Sequence, residues 1–232
     1  MLVNYGHYLL PLAIAKRTGP NEGDLVRFAG SSFYIDSKGT IATCSHIIES
    51  LKEDEFLVAK ELRTNTFLEV KEVICHKKFD FAVGHVDVTN NEFFKPLDNP
   101  LMLGDDVDAL GFTANGKVGK DLHIDSRMLR GYVTRLSQSP QLNLRCKSTF
   151  EVSFPSLSGF SGAPVTTHKG AFLLGMLYGN MESSIEVFSF TEIKQDDSTI
   201  SEKICRVLEF GVAHPINDIR FFLQELNIKA FV

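Results

Sequence analysis

Residues 30–46 read Gly30-Ser-Ser-Phe-Tyr-Ile-Asp-Ser-Lys-Gly-Thr-Ile-Ala-Thr-Cys-Ser-His46. Strand-forming residues at 32–35 meet a turn at Asp36-Ser-Lys-Gly39, and Thr40-Ile-Ala-Thr43 forms the next strand. His46 then falls at the strand end. A side chain there can face a cleft while the sheet holds its backbone. A lone histidine more often caps or packs, so the meaning of this one depends on the rest of the chain.

The segments on either side repeat the pattern. Tyr8–Ala15 is an apolar run preceded by nothing basic and followed by Lys16-Arg17. That polarity is wrong for a secretory signal, and the run is too short to span a bilayer, so it reads as an N-terminal strand. Asp24–Ala29, Phe56–Ala59, Thr66–Val70 and Phe81–Val86 continue the series. Short β segments at roughly ten-residue spacing predict a sandwich or barrel. Thr89–Asp106, rich in Asn, Pro, Gly and Asp, reads as a linker. A second series follows at Val107–Phe112, Arg130–Thr134, Leu142–Cys146, Phe150–Phe154, Ala171–Tyr178 and Ile185–Phe190. The polar stretch Lys194–Lys203 reads as a surface loop. After Pro215 the period changes. Ile216, Ile219, Phe222, Leu223 and Leu226 lie on one face of a terminal helix.

Two further residues give His46 a chemical context. Asp80, in His76-Lys-Lys-Phe-Asp80-Phe-Ala-Val, stands where a loop enters an apolar strand. A partly desolvated carboxylate needs a partner, and an imidazole N–H would satisfy it and fix the ring's tautomer. An exposed turn aspartate is the plainer reading of that residue alone. Ser161 lies in Ser158-Gly-Phe-Ser-Gly-Ala-Pro164. Gly, Ser and Pro suit any tight turn, and a serine hydroxyl is a poor nucleophile without a base, an orienting group and oxyanion donors. The order His46, Asp80, Ser161, with a cleft between two β halves, is one layout of the serine triad.

Taken together, these segments resemble the trypsin-like serine peptidases of the chymotrypsin fold, and most closely the disulfide-free branch that includes the high-temperature-requirement proteases. Residues 30–46 are similar to the family's histidine motif, Phe79-Asp80-Phe-Ala-Val to its aspartate motif, and Gly159-Phe-Ser161-Gly-Ala-Pro164 to its serine motif. Asp106–Gly111 and Gly211–Ile216 resemble family strands beside those motifs. The resemblance implies an all-β fold of two six-stranded antiparallel barrels with a C-terminal helix. The first barrel would occupy residues 1–98, the second 99–214 and the helix 215–232, together one peptidase domain. It implies a serine endopeptidase in which Ser161 attacks the scissile carbonyl, His46 moves the proton and Asp80 orients the ring. The N–H groups of Gly159 and Ser161 would form the oxyanion hole, and Gly162 would keep bulk from the nucleophile. Pro155, Tyr178, Gly179 and Asn180 would line the substrate pocket. With Pro155 where trypsin has an aspartate, the residue before the cut is expected to be small or medium and uncharged.

Departures from the family pattern matter as well. Phe160 replaces the aspartate that pairs with a newly cut N-terminus in secreted relatives, so packing must set the oxyanion loop. Ala163 replaces a glycine, and Cys44 is not where those relatives carry a disulfide. Two readings therefore compete with constitutive proteolysis: a silent peptide-binding module, and a protease activated by a partner.

Composition limits the other classes. The chain has 232 residues, a net charge of −5 and 44% apolar residues. It lacks the basic footprint of nucleic-acid binding, and neither a nucleic-acid nor a membrane partner is expected. Cys44, Cys75, Cys146 and Cys205 form no Cys-x-x-Cys pattern, which points to free thiols in a cytoplasmic, reducing setting, though two disulfides remain open. Cys44-Ser-His46 and Cys75-His76 lack further ligands at short spacing, so no metal or other cofactor is expected. Gly111–Val118 approximates a phosphate-binding loop but has Val118 where Ser or Thr is required, and it reads as a hairpin loop.

Overall fold

A computed structural model describes residues 7–19, 22–88, 92–118, 121–137, 145–170, 172–193 and 199–231. The front half contains β1 (Leu9–Gly19), β2 (Glu22–Tyr34), β3 (Thr40–Thr43), the short helix α1 (Ser45–Glu49), β4 (Glu55–Glu61), β5 (Thr66–Glu69), β6 (Lys71–Cys75) and β7 (Ala82–His85). They form one antiparallel sheet in the order β5-β4-β1-β2-β3-β7-β6. Its two edge strands, β5 and β6, are separated in sequence only by Val70, so the chain steps directly from one edge to the other and the sheet curls like a barrel. The sheet has seven strands where six were expected, because the segment 66–75 splits at Val70.

The rear half contains β8 (Asp106–Val118), β9 (Asp121–Ser137), β10 (Thr149–Val152), β11 (Pro164–Thr167), β12 (Leu173–Ile193) and β13 (Thr199–Pro215). These six close into an antiparallel barrel, β10-β13-β12-β11-β8-β9. Two sequence expectations are corrected here. Gly111–Val118 is not a hairpin loop, since β8 runs through it to Val118. Residues 199–203 of the expected surface loop belong to β13, paired with β12 through Ile193↔Thr199 and Ser189↔Lys203, while 194–198 lie outside the described residues. Polar composition misled there because both faces of this two-stranded ribbon are exposed, so nothing demands apolar residues in its strands. Of the expected strand Leu142–Cys146, residues 142–144 also lie outside the described residues, and 145–146 are in no strand.

β13 passes at Pro215 straight into α2 (Ile216–Glu225). Ile216, Ile219, Phe222 and Leu223 are buried, as their spacing requires. Phe222 packs on Phe79 with ring centroids 4.6 Å apart, and on Phe81 and His76 at 5.4 and 5.2 Å. A helix from the rear half thereby buttresses the front-half loop that carries Asp80. Burying one such ring contributes roughly 2–3 kcal/mol.

Candidate active site

His46 does not end a strand. It sits in the first turn of α1, directly after β3, with its side chain 45% exposed. A five-residue helix is too short to leave a 3.6-residue signature, which is why the sequence does not announce it. The loop 76–81 brings Asp80 beneath it, and the Asp80 side chain is only 10% exposed. Asp80 Oδ2 lies 2.7 Å from His46 Nδ1. Asp80 Oδ1 accepts the His46 backbone N–H at 3.0 Å and the Ser45 hydroxyl at 3.1 Å. Burial opposes ionisation of this carboxyl, but the hydrogen bonds and charge attraction from His46, with the bond from Ser45, outweigh it and hold the group below its ordinary value. An ionised carboxylate only accepts, so the proton of a neutral His46 belongs on Nδ1 and leaves Nε2 as a base facing outward.

The Asp80 main chain is held from the rear half. Its N–H donates to the Arg145 carbonyl at 2.8 Å, and its own carbonyl lies 3.1 Å from His214 Nε2. The His214 ring is fully buried, stacked on Tyr178 at 4.1 Å and edge-on to Phe222 at 5.3 Å. Nδ1 of that ring has no hydrogen-bond partner among the described residues. Arg145 also forks onto the Glu49 carboxylate at 2.6 and 2.8 Å, clamping the end of α1 to the rear half.

The Ser161 loop docks on the same junction. Ser31 N–H donates to the Ser161 carbonyl at 2.9 Å, and Ser31 Oγ donates to the Gly159 carbonyl at 2.7 Å while accepting Phe112 N–H at 3.0 Å. Gly162 N–H and the Cys44 thiol share the Leu177 carbonyl, at 2.9 and 3.4 Å. The Ser161 loop therefore rests against the residues that lead into His46. Gly159 and Gly162 have φ of +95° and +84°, a region that disfavours side chains. A Cβ on Gly162 would strike the Ser31 carbonyl and Thr43, so its glycine serves close backbone approach rather than clearance around Ser161. Phe160 is wholly buried and lies against Gly111, which makes the loop's anchor apolar. The N–H groups of Gly159 and Ser161 meet no acceptor among the described residues. The Ser161 hydroxyl likewise has no hydrogen bond among them.

The expected pocket residues fall near one another, but their roles differ. Tyr178 turns its ring into the core, with its hydroxyl 3.2 Å from Thr149, so only its main chain is available to a ligand. Asn180 reaches across to Ser156, accepting its N–H at 2.6 Å and donating to its carbonyl at 3.0 Å. The strand carrying Gly179 and Asn180 is thereby tied to the loop that follows Pro155. Sequence reasoning missed Ser31, Ser45, His214 and the Asn180 bridge. The first two stand inside the stretch 30–46, but nothing in a single sequence separates such serines from turn residues.

Cys44, His46 and Asp80 place ligand-type atoms within 4.8 Å of one another. The set fits a metal poorly. Burial, with the nearby charge of Asp80, keeps the Cys44 thiol protonated well above its ordinary value, and Asp80 already engages His46. All four cysteines are unpaired. Among the described residues, no helix is long and apolar enough to cross a membrane.

Residues 30–176 match the family model for a trypsin-like peptidase domain. No curated protein matches the chain by sequence. Among solved structures, a mutant of Rv3671c from M. tuberculosis H37Rv in its inactive form superposes with a TM-score of 0.61 at 12% identity, covering 97% of this chain and 89% of that one. The Rv3671c protease in its inactive form gives 0.59 at 12% identity, covering 97% and 91%. At that identity the likeness is one of fold.

Proposed function

The chain belongs to the trypsin-like peptidase domain family, and from that premise we propose that it is a serine endopeptidase with His46, Asp80 and Ser161 as its triad. One observation carries the reading: Asp80 Oδ2 lies 2.7 Å from His46 Nδ1, beside a loop that holds Ser161 between two positive-φ glycines. His46 Nε2 takes the Ser161 proton as Oγ adds to the scissile carbonyl. The oxyanion is received by the N–H groups of Gly159 and Ser161, and the proton passes to the leaving amine. Water then cleaves the acyl-enzyme by the same route. Asp80 holds the tautomer throughout. The four free thiols favour a cytoplasmic setting.

The Asn180–Ser156 bridge supports a shallow pocket for the side chain before the cut. Mass-spectrometric mapping of cleavage in a peptide library is expected to give cuts after small or medium uncharged residues. Asn180→Gly removes the bridge and should raise cleavage after Leu or Phe by about tenfold. Strict Lys or Arg cleavage by the wild type would contradict the pocket assignment.

Activation by a partner is favoured by a separate observation, the unbonded Ser161 hydroxyl. Equal, high peptidase rates with and without candidate partner proteins would remove that reading.

A further inference from the structure

We propose that the ribbon formed by the outer parts of β12 and β13 is an exosite for an extended apolar segment of the polypeptide substrate, a proposal that rests on the peptidase reading. β11 pairs with β12 only as far as Met176, and β10 pairs with β13 only over Gly211–Ala213. Beyond those points, among the described residues, the two strands pair with each other alone, out to Ile193 and Thr199. Residues directly opposite in an antiparallel pair share a face. One face therefore carries Met181 with Phe210, Ser183 with Leu208, Ile185 with Arg206, Phe188 with Ile204, and Phe190 with Glu202, a mostly apolar row into which Ser183, Arg206 and Glu202 are set. The other carries Glu182 with Glu209, Ser184 with Val207, Glu186 with Cys205, Ser189 with Lys203 and Thr191 with Ser201, and Lys203 pairs with Glu186 at 2.7 Å.

Among the described residues, nothing covers the mostly apolar face. Ile185, Phe188, Phe190 and Ile204 are 49%, 56%, 48% and 62% exposed. A two-stranded ribbon gains little stability in water without something packed on it, and a row of large exposed apolar side chains, bordered by Arg206 and Glu202, marks an interaction surface.

Position identifies the occupant. The face begins at Met181, next after Asn180, on the strand whose Leu177 bonds the Ser161 loop through both its N–H and its carbonyl. Met181 is partly buried against the core, so the exposed row starts directly beyond Tyr178, Gly179 and Asn180, the expected pocket residues on the same strand. A polypeptide that continues alongside β12 from those residues meets the ribbon. At about 3.3 Å per residue, Ile185 lies about 23 Å beyond Tyr178 and Phe190 about 40 Å beyond it. A substrate needs roughly seven residues on one side of the cut to reach the exosite, and short reporter peptides do not reach it.

The test compares the wild type with the triple variant Ile185→Thr/Phe188→Thr/Ile204→Thr, which keeps strand-forming residues. Reduced, carboxymethylated α-lactalbumin serves as the unfolded polypeptide and a four-residue ester as the short substrate. The expected result is a loss of at least about tenfold in kcat/KM on the polypeptide with an unchanged ester rate. In the Ser161→Ala background, fluorescence anisotropy should show the same loss in binding of labelled α-lactalbumin. That binding arm decides the exosite even if the wild type hydrolyses nothing, which would instead sink the peptidase reading. If the triple variant misfolds, a wild-type series of 4- to 16-residue peptides decides. A rate that rises once apolar residues lie about seven or more positions from the cut supports the exosite, and a flat series overturns it. Unchanged α-lactalbumin cleavage and binding in the folded variant also overturns it, as does a wild-type dimer that the triple substitution dissociates with polypeptide binding intact.

Discussion

Asp80→Asn is expected to lower kcat by about 10⁴-fold while the protein stays folded. Two donors, the His46 backbone N–H and the Ser45 hydroxyl, converge on Oδ1, so the amide oxygen of an asparagine takes that place. Its NH₂ group then faces His46 Nδ1, where Oδ2 now accepts at 2.7 Å. A donor there makes Nδ1 the acceptor and moves the ring proton to Nε2, which can no longer deprotonate Ser161. Steady-state kinetics on the ester, with circular dichroism to check folding, reads the effect. A loss below tenfold would show that Asp80 does not set the tautomer.

Stability should fall as the pH drops from about 6.5 towards 4, and His214 is the cause. Burial pushes this imidazole down to about 4 from its ordinary 6.5, although the Asp80 carbonyl and the charges of Asp80 and Asp218 pull it upward. Between those values the unfolded chain binds a proton that the folded chain refuses. The contribution is complete above pH 6.5 and lost as the pH approaches 4, on the order of 3 kcal/mol. Asp80 acts in a different window, because its folded value is depressed: it stabilises above about pH 4 and loses that contribution only as the pH falls lower. Urea midpoints measured from pH 7 to 4.5 should fall for the wild type and much less for His214→Gln. A flat wild-type profile, or the same slope in the variant, would contradict this assignment.

The parts of the fold legible in the sequence are those with a local signature. Strand-turn-strand chemistry before His46, the apolar strand after Asp80, the glycines around Ser161 and the spacing of Ile216, Ile219, Phe222 and Leu223 each announce themselves within a few residues. What stayed hidden depends on distant partners. The β12–β13 ribbon reads as separate strands and a loop because a ribbon exposed on both faces mixes Glu, Ser and Lys with Ile and Phe. His214 carries no local cue, since its role follows from the Asp80 carbonyl 134 positions away in the chain. Ser31 joins the Gly159 carbonyl to Phe112 only once the two halves are docked.

A folded protein that prepares Ser161 as a nucleophile reacts there with a fluorophosphonate probe, and mass spectrometry locates the modified residue. The expected result is a single adduct on Ser161 in the native protein, absent after heat denaturation and in His46→Ala. Native protein that stays unlabelled in the presence of polypeptide substrate, or labelling that survives loss of His46, would contradict it.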